Sequence, residues 1–235
     1  SESDVIFVCV PTPMKKNGEI DLRIVNSVMD EIEKRDEKHE QVVVVKSTVV
    51  PGTMERLQER YQSLALAFNP EFLTERTARL DFINTSRVVI GTNQEWVSDK
   101  LEKLYRLKFR SVPIIKTDFA TSQLIKYMSN CFFATKVSFM NEMKQICDAA
   151  TADWETCVDG VILDGRIGNS HISVPGHDGS PGFGGKCFPK DINAMIERSK
   201  ELGVKPTVLS AVWEKNLEVR KNHDWLSIVG AVSEE

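Results

Sequence analysis

Short apolar runs alternate with helically spaced apolar positions along the first half of the chain. Val5-Ile6-Phe7-Val8-Cys9-Val10 is unbroken and closed by Pro11-Thr12-Pro13, the pattern of a strand buried on both faces of a parallel sheet. After Lys16-Asn17-Gly18, the apolar positions Leu22, Val25, Val28, Met29 and Ile32 recur at helical spacing, with Asp21 placed to cap them. Residues 42–45 predict a second buried strand ending in Lys46-Ser47-Thr48, residues 53–61 a short helix, and residues 64–68 a third strand. Residues 87–91 predict a fourth strand, residues 94–107 an amphipathic helix, and residues 113–115 a short fifth strand. This rhythm predicts βαβ units and a mostly parallel sheet covered by helices. The mixed charges from Glu33 to Glu40 read as a solvated helix end.

The period changes at Lys116-Thr117-Asp118. From there to Ala150 neither Pro nor Gly occurs, and Cys131, Phe132, Phe139, Met140, Met143 and Ile146 spread apolar surface around most of one long helix. Such a helix is central to a core or to a dimer interface. A helix over residues 153–163 follows, then a Gly/Pro-rich loop over 165–187, then helices over 189–202 and 206–221; the last dozen residues carry no clear pattern. The expected fold is α/β: a partial Rossmann-like parallel sheet over residues 1–116, an all-helical central dimerisation domain with one long helix over 117–222, and a tail over 223–235.

Composition narrows the function classes. Thirty Lys and Arg against 34 Asp and Glu give a net charge of −4, unlike a basic nucleic-acid-binding stripe. Hydrophobic content of 41% with 27% charged residues excludes wholesale disorder. No run approaches the roughly 18 apolar residues of a membrane span. The polar start Ser1-Glu2-Ser3-Asp4 is unlike a signal peptide. Cys9, Cys131, Cys147, Cys157 and Cys187 form an odd set without a Cys-x-x-Cys pair or a ligand-like spacing to histidine, so no metal site is expected and a reducing, cytoplasmic setting is.

The densest chemical signal is Gly182-Phe183-Gly184-Gly185-Lys186-Cys187-Phe188-Pro189-Lys190-Asp191. Clustered glycines allow a backbone to take positive φ and approach a ligand closely. Pro189 marks the first turn of a helix, which places Cys187 beside the helix N-terminus, where the dipole favours thiolate; Lys186 and Lys190 push the same way. Asp191 lies on that first turn, placed to orient a water or a neighbouring lysine. The alternative is a glycine turn with an incidental cysteine. Lys126 and Asn130 stand four residues apart on one face of the long helix, with Asn141 near the same stripe. Facing a thiol, Lys126 and Asn130 would donate to an oxygen made negative by thiolate attack; singly, each reads as a polar group reaching solvent or a loop. Lys46-Ser47-Thr48 and Asn69-Pro70-Glu71-Phe72-Leu73-Thr74-Glu75 sit at strand ends, where open α/β sheets hold ligands. There Glu71 and Glu75 are candidates for a general base and a positioning group, or for ordinary surface carboxylates.

Together these segments resemble the UDP-glucose 6-dehydrogenase family, among the nucleotide-sugar dehydrogenases. The resemblance rests on Val10-Pro11-Thr12-Pro13, Lys46-Ser47-Thr48-Val49, Asn69-Pro70-Glu71-Phe72-Leu73, Lys126 with Asn130, Arg166-Ile167-Gly168 and the 182–191 stretch, in the family's order. Val174-Pro175-Gly176-His177-Asp178-Gly179 is closer to the UDP-glucose branch than to the GDP-mannose branch. The resemblance implies oxidation of UDP-glucose to the acid by two hydride transfers to NAD, with Cys187 forming a thiohemiacetal and then a thioester. It implies that Lys126 and Asn130 stabilise the oxyanion, Asp191 and Thr48 hold a water, and Glu71 acts in acid–base steps. Thr12, Thr48, Glu75 and Lys190 match cofactor contacts. Phe72, Leu73, Arg166, His171 and Gly184 match substrate contacts, with Arg166 reaching a partner subunit's site and the long helix forming a homodimer core. The family opens with a βαβ half carrying G-x-G-x-x-G and closes with a UDP-binding domain. The first 40 residues here contain no such fingerprint, so weakened cofactor affinity is expected of this chain alone. A non-catalytic dimerisation module on the same scaffold, or a dehydrogenase for another nucleotide sugar, are the alternatives.

Overall fold

The computed structural model describes residues 3–35 and 41–233, so the charged run beyond Arg35 lies outside the described residues up to Glu40. The chain forms two compact units. The first runs to Pro13 and from Ile20 to Tyr127; the second holds Met14–Glu19 and the chain from Met128 onward.

The first unit is built on a five-stranded sheet, β1 (Val5–Val8), β2 (Val42–Val45), β3 (Ala65–Phe68), β4 (Val88–Gly91) and β5 (Ile114–Thr117), in that spatial order. β1, β2 and β3 run parallel, β4 and β5 run parallel to each other, and the two sets meet antiparallel through Phe68 and Gly91. Three helices pack on it, α1 (Arg23–Arg35), α2 (Thr53–Arg60) and α4 (Glu95–Arg106), while α3 (Ala78–Ile83) has no buried residue. The two-residue strand period divides the core between the sheet's faces. Val43 and Val45 pack with Val25, Met29, Leu57 and Tyr61, whereas Val42 and Val44 pack with Val97 and Leu101. β2 is therefore buried on both faces, as its four consecutive valines predict.

β1 departs from that expectation. Only Val8 of its four residues is buried, Phe7 is 40% exposed and Cys9 is exposed. Among the described strands β1 pairs with β2 alone. Asp21 accepts a hydrogen bond from Arg23 N at 3.0 Å, and so supports the start of α1 from two residues upstream.

The long helix, α5 (Phe119–Ala149), is continuous over 31 residues. Its first turn packs on β4, where a side chain at Gly91 would collide with Ser122. From Met128 it enters the second unit with α6 (Trp154–Ile162), α7 (Cys187–Glu201) and α8 (Thr207–Val219). Cys131 and Ala134 pack with Phe183, Ile192, Ile196 and Val212; further along, Met140 and Cys147 pack with Trp154 and Ile172. Asp153 caps α6 by accepting from Thr156 N at 2.8 Å. The C-terminal residues, patternless as sequence, close a small cluster: Trp225 and Ala231 bury Met14, whose N–H donates to Ala231 O at 2.9 Å. Two isolated apolar residues are enough to bury a segment without producing any period.

Candidate active site

In the second unit, α7 begins at Cys187 itself, two residues before the start that Pro189 predicts. Proline is tolerated there because the N–H groups of a first turn have no intrahelical acceptor to lose. Cys187 is exposed, with its side chain leaving the helix at its positive end. One turn on, the Asp191 carboxylate is almost completely buried. It accepts from Asn130 Nδ2 on α5 at 2.5 Å and from Lys190 Nζ at 2.5 Å. A buried carboxylate needs both partners, and here they fix the first turn of α7 against α5.

The loop leading to Cys187 is clamped from three elements. Asn141 on α5 accepts from Gly182 N at 3.1 Å. Asn216 on α8 accepts from Phe183 N at 2.7 Å and donates to Phe183 O at 3.0 Å, as a strand backbone would. Asp224 accepts from Gly185 N at 3.0 Å. Arg220, with only 2% of its side chain exposed, donates to Asp178, Asp224 and the Pro181 carbonyl. Gly182 has φ +71°, and any Cβ there would meet Asn216; a Cβ at Gly184 would meet Asp224 and the Arg220 guanidinium. Glycine is required at both positions by that close approach.

In the first unit, Lys126 is buried and donates to the Glu71 carbonyl at 2.7 Å and to Glu71 Oε1 at 3.0 Å. Glu71 Oε2 accepts from Leu73 N at 2.7 Å, which folds residues 69–73 into a compact turn at the C-terminal end of β3. Phe72 lies with the Arg87 guanidinium 3.8 Å from its ring centroid and Lys126 Nζ at 5.6 Å. Beside this turn is a cavity of about 250 Å³ lined by Lys46, Asn69, Glu71, Phe72, Arg87 and Tyr105 among others. Lys46 donates to Asn69 Oδ1 at 2.8 Å, and Tyr105 donates to the same oxygen. Burial pulls the Lys46 ammonium below the ordinary lysine range, opposed by Cys9 and Glu71 nearby. Burial, with a smaller contribution from Cys9, pushes the Tyr105 phenol up to about 12. At the ends of the first two strands, Thr12 Oγ1 donates to the Thr48 carbonyl at 2.9 Å.

Residues 1–108 match the model for the UDP-glucose/GDP-mannose dehydrogenase family, NAD binding domain, and residues 120–218 match the model for that family's central domain. The chain belongs to the UDP-glucose/GDP-mannose dehydrogenase family. It is similar to the UDP-glucose 6-dehydrogenase of Rickettsia bellii, 39% identical over 92% of this chain and 50% of the relative. The UDP-glucose 6-dehydrogenase of Bacillus subtilis is 37% identical over 98% of this chain and 50% of the relative. Among solved structures, a UDP-glucose dehydrogenase from Pyrobaculum islandicum superimposes with a TM-score of 0.82 at 33% identity, over 92% of this chain and 50% of that one. The chain thus spans about half the length of the curated relatives it matches.

The remaining positions that carry this dehydrogenase family's pattern are peripheral in the structure. Glu75 is exposed at the start of a single 3₁₀ turn (Glu75–Thr77). Arg166 is exposed and folds back on Asp164 at 2.6 Å. His171, with φ +61°, stacks its ring on Phe133 at 4.2 Å; burial, then Lys136 and His177, lowers its pKa below the ordinary histidine value. Among the described residues no cluster of His, Cys, Asp and Glu could hold a metal ion, and no helix is long and apolar enough to cross a membrane. Sequence reasoning passed over Asn216, Arg220 and Asp224. All three act on a loop more than thirty residues away, and an arginine at a helix end reads as a solvated charge. The available signal was the three glycines within four residues, which require partners for their exposed backbone groups.

Proposed function

We propose that this chain carries the nucleophile and acid–base groups of a dehydrogenase that oxidises the C6 alcohol of UDP-glucose to the acid. The observation that carries the proposal is the exposed Cys187 thiol at the first residue of α7, after a glycine loop fixed by Asn141, Asn216, Arg220 and Asp224. The helix N-terminus favours its thiolate. Addition of Sγ to an aldehyde carbon forms a C–S bond and moves the carbonyl pair onto oxygen, where Lys126 and Asn130 donate hydrogen bonds. At the thioester level, a water oriented by Asp191 and Thr48 adds to the acyl carbon, Glu71 takes its proton, and the C–S bond breaks to return the thiolate.

Thr12 and Thr48, hydrogen-bonded together at the C-terminal ends of parallel strands, are placed as open sheets place dinucleotide contacts. We assign NAD to them with Glu75 and Lys190; when bound, it accepts the hydrides released by the alcohol carbon. Phe72, Leu73, Gly184, His171 and Arg166 are assigned to the UDP-sugar, with Arg166 serving a partner subunit's site. We assign residues 1–116 to cofactor binding, 117–222 to catalysis and dimerisation, and 223–235 to a tail.

The test is alkylation of the native, complete protein with iodoacetamide. Cys9, Cys157 and Cys187 are all exposed, so access alone would label them equally. Cys187 is expected to react first, and UDP-glucose to slow its reaction. Equal rates at the three thiols would reject an activated nucleophile.

Dimerisation has its own support. Met128, Phe132, Phe139 and Ile146 form a stripe along α5, each more than half exposed. A homodimer through this helix covers the stripe. Replacing Phe132 and Phe139 together by glutamate is expected to convert a dimer to a monomer in sedimentation; an unchanged dimer would place the interface elsewhere.

A further inference from the structure

The corner between α5 and α6 holds a second pair of reactive groups. Cys147 is buried in the last turns of α5, among Met140, Trp154 and Ile172, while Cys157 is exposed in the first turns of α6. The chain reverses between them within a few residues. Ala152 N donates to the Cys147 carbonyl at 2.9 Å, Asp153 caps α6, and Cys157 N donates to the Asp153 carbonyl at 3.1 Å. Val158, next to Cys157, packs in the same apolar cluster as Cys147. The Cys157 thiol lies near enough to raise the pKa of Cys147, after burial, which is the larger cause.

We propose that Cys147 and Cys157 are an oxidisable dithiol that closes to an intrachain disulfide on exposure to a small-molecule disulfide such as oxidised glutathione. Burial and the Cys157 sulfur hold the proton on Cys147, so Cys157 is the attacking thiol. Its thiolate attacks one sulfur of the small disulfide, forming a mixed disulfide and expelling one thiolate. Cys147 then gives up its proton and attacks the Cys157 sulfur, expelling the second. The protein loses two electrons and two protons, and the small disulfide is reduced to two thiols. Closure requires the two side chains to come within bonding reach, and the tight turn between α5 and α6, with Val158 packed in the cluster that holds Cys147, brings the two cysteines to the same corner. The ring so formed ties α6 to the end of α5, immediately before the segment that carries Arg166.

Both cysteines fall in one tryptic peptide, residues 145–166, with Trp154 between them. After treatment of the native chain with oxidised glutathione and blocking of residual thiols, this peptide is expected to be two hydrogens lighter and to carry no alkyl label. Cleavage at Trp154 should leave its halves joined until reduction. Cys157→Ser is expected to abolish the mass loss. Cys147→Ser should instead leave a stable mixed disulfide on Cys157. Because Cys157 is exposed, its serine variant folds and keeps the test decisive even if the Cys147 variant does not. Recovery of Cys147 in alkylated form after oxidation, or of Cys157 joined to a second chain, would overturn the proposal.

Discussion

Alanine at position 187 is expected to lower oxidation of UDP-glucose by the complete protein by on the order of 10³-fold or more, with an unchanged melting temperature. The two readouts separate because the Cys187 side chain is exposed, whereas the groups around it are held by one another. Asp191 keeps Asn130 and Lys190, and the loop keeps Asn216. Removing the sulfur therefore deletes the bond-forming atom and leaves these bonds in place. Cys187→Ser is the stricter control, since its hydroxyl preserves size and polarity but ionises far less readily than a thiol. NADH absorbance in steady state, with a thermal melt of each variant, checks both parts. Turnover within about tenfold of the unsubstituted protein would remove the thiol from the reaction.

The largest stability effect is expected at Arg220. Its guanidinium is nearly inaccessible to solvent and donates to Asp178 at 2.7 Å, Asp224 at 3.1 Å and the carbonyls of Pro181 and Asn222. Arg220→Ala leaves two carboxylates facing each other without their shared cation. Breaking a buried pair costs about 3–5 kcal/mol. The carboxylates retain 36% and 26% exposure, so hydration offsets part of that and the lower end applies, about 3 kcal/mol. For a chain of this size that is a fall in Tm of roughly 6–12 °C. Arg220→Lys keeps the charge but cannot span both carboxylates and two carbonyls, and is expected to fall between. Thermal denaturation of the three proteins measures this directly. An alanine variant as stable as the parent would show that the glycine loop is held without the arginine.

The sheet and the long helix were legible because their patterns are local. Four consecutive valines can only be satisfied inside a sheet, and 31 residues without Gly or Pro sustain a helix whatever they pack against. Cys187 was legible through its glycines and Pro189. The stripe logic for Lys126 and Asn130 put them on one helix face but not their acceptors, Glu71 and Asp191, which lie 55 and 61 residues away in sequence. Asn141 shares that stripe and turns out to hold Gly182 rather than to face a ligand. Contacts of such range leave no periodic trace, so the clamp of Asn216, Arg220 and Asp224 emerges only in the folded chain.

The pairing of Lys126 with Glu71 has a stoichiometric consequence. An ammonium has three hydrogens in tetrahedral array, and two are already committed to one residue's carbonyl and carboxylate. A visiting oxygen therefore meets a single vector rather than a freely spinning head group. The oxyanion role we propose for Lys126 therefore depends on the angle from which the oxygen arrives, a dependence that a solvent-exposed amine at the same position would lack.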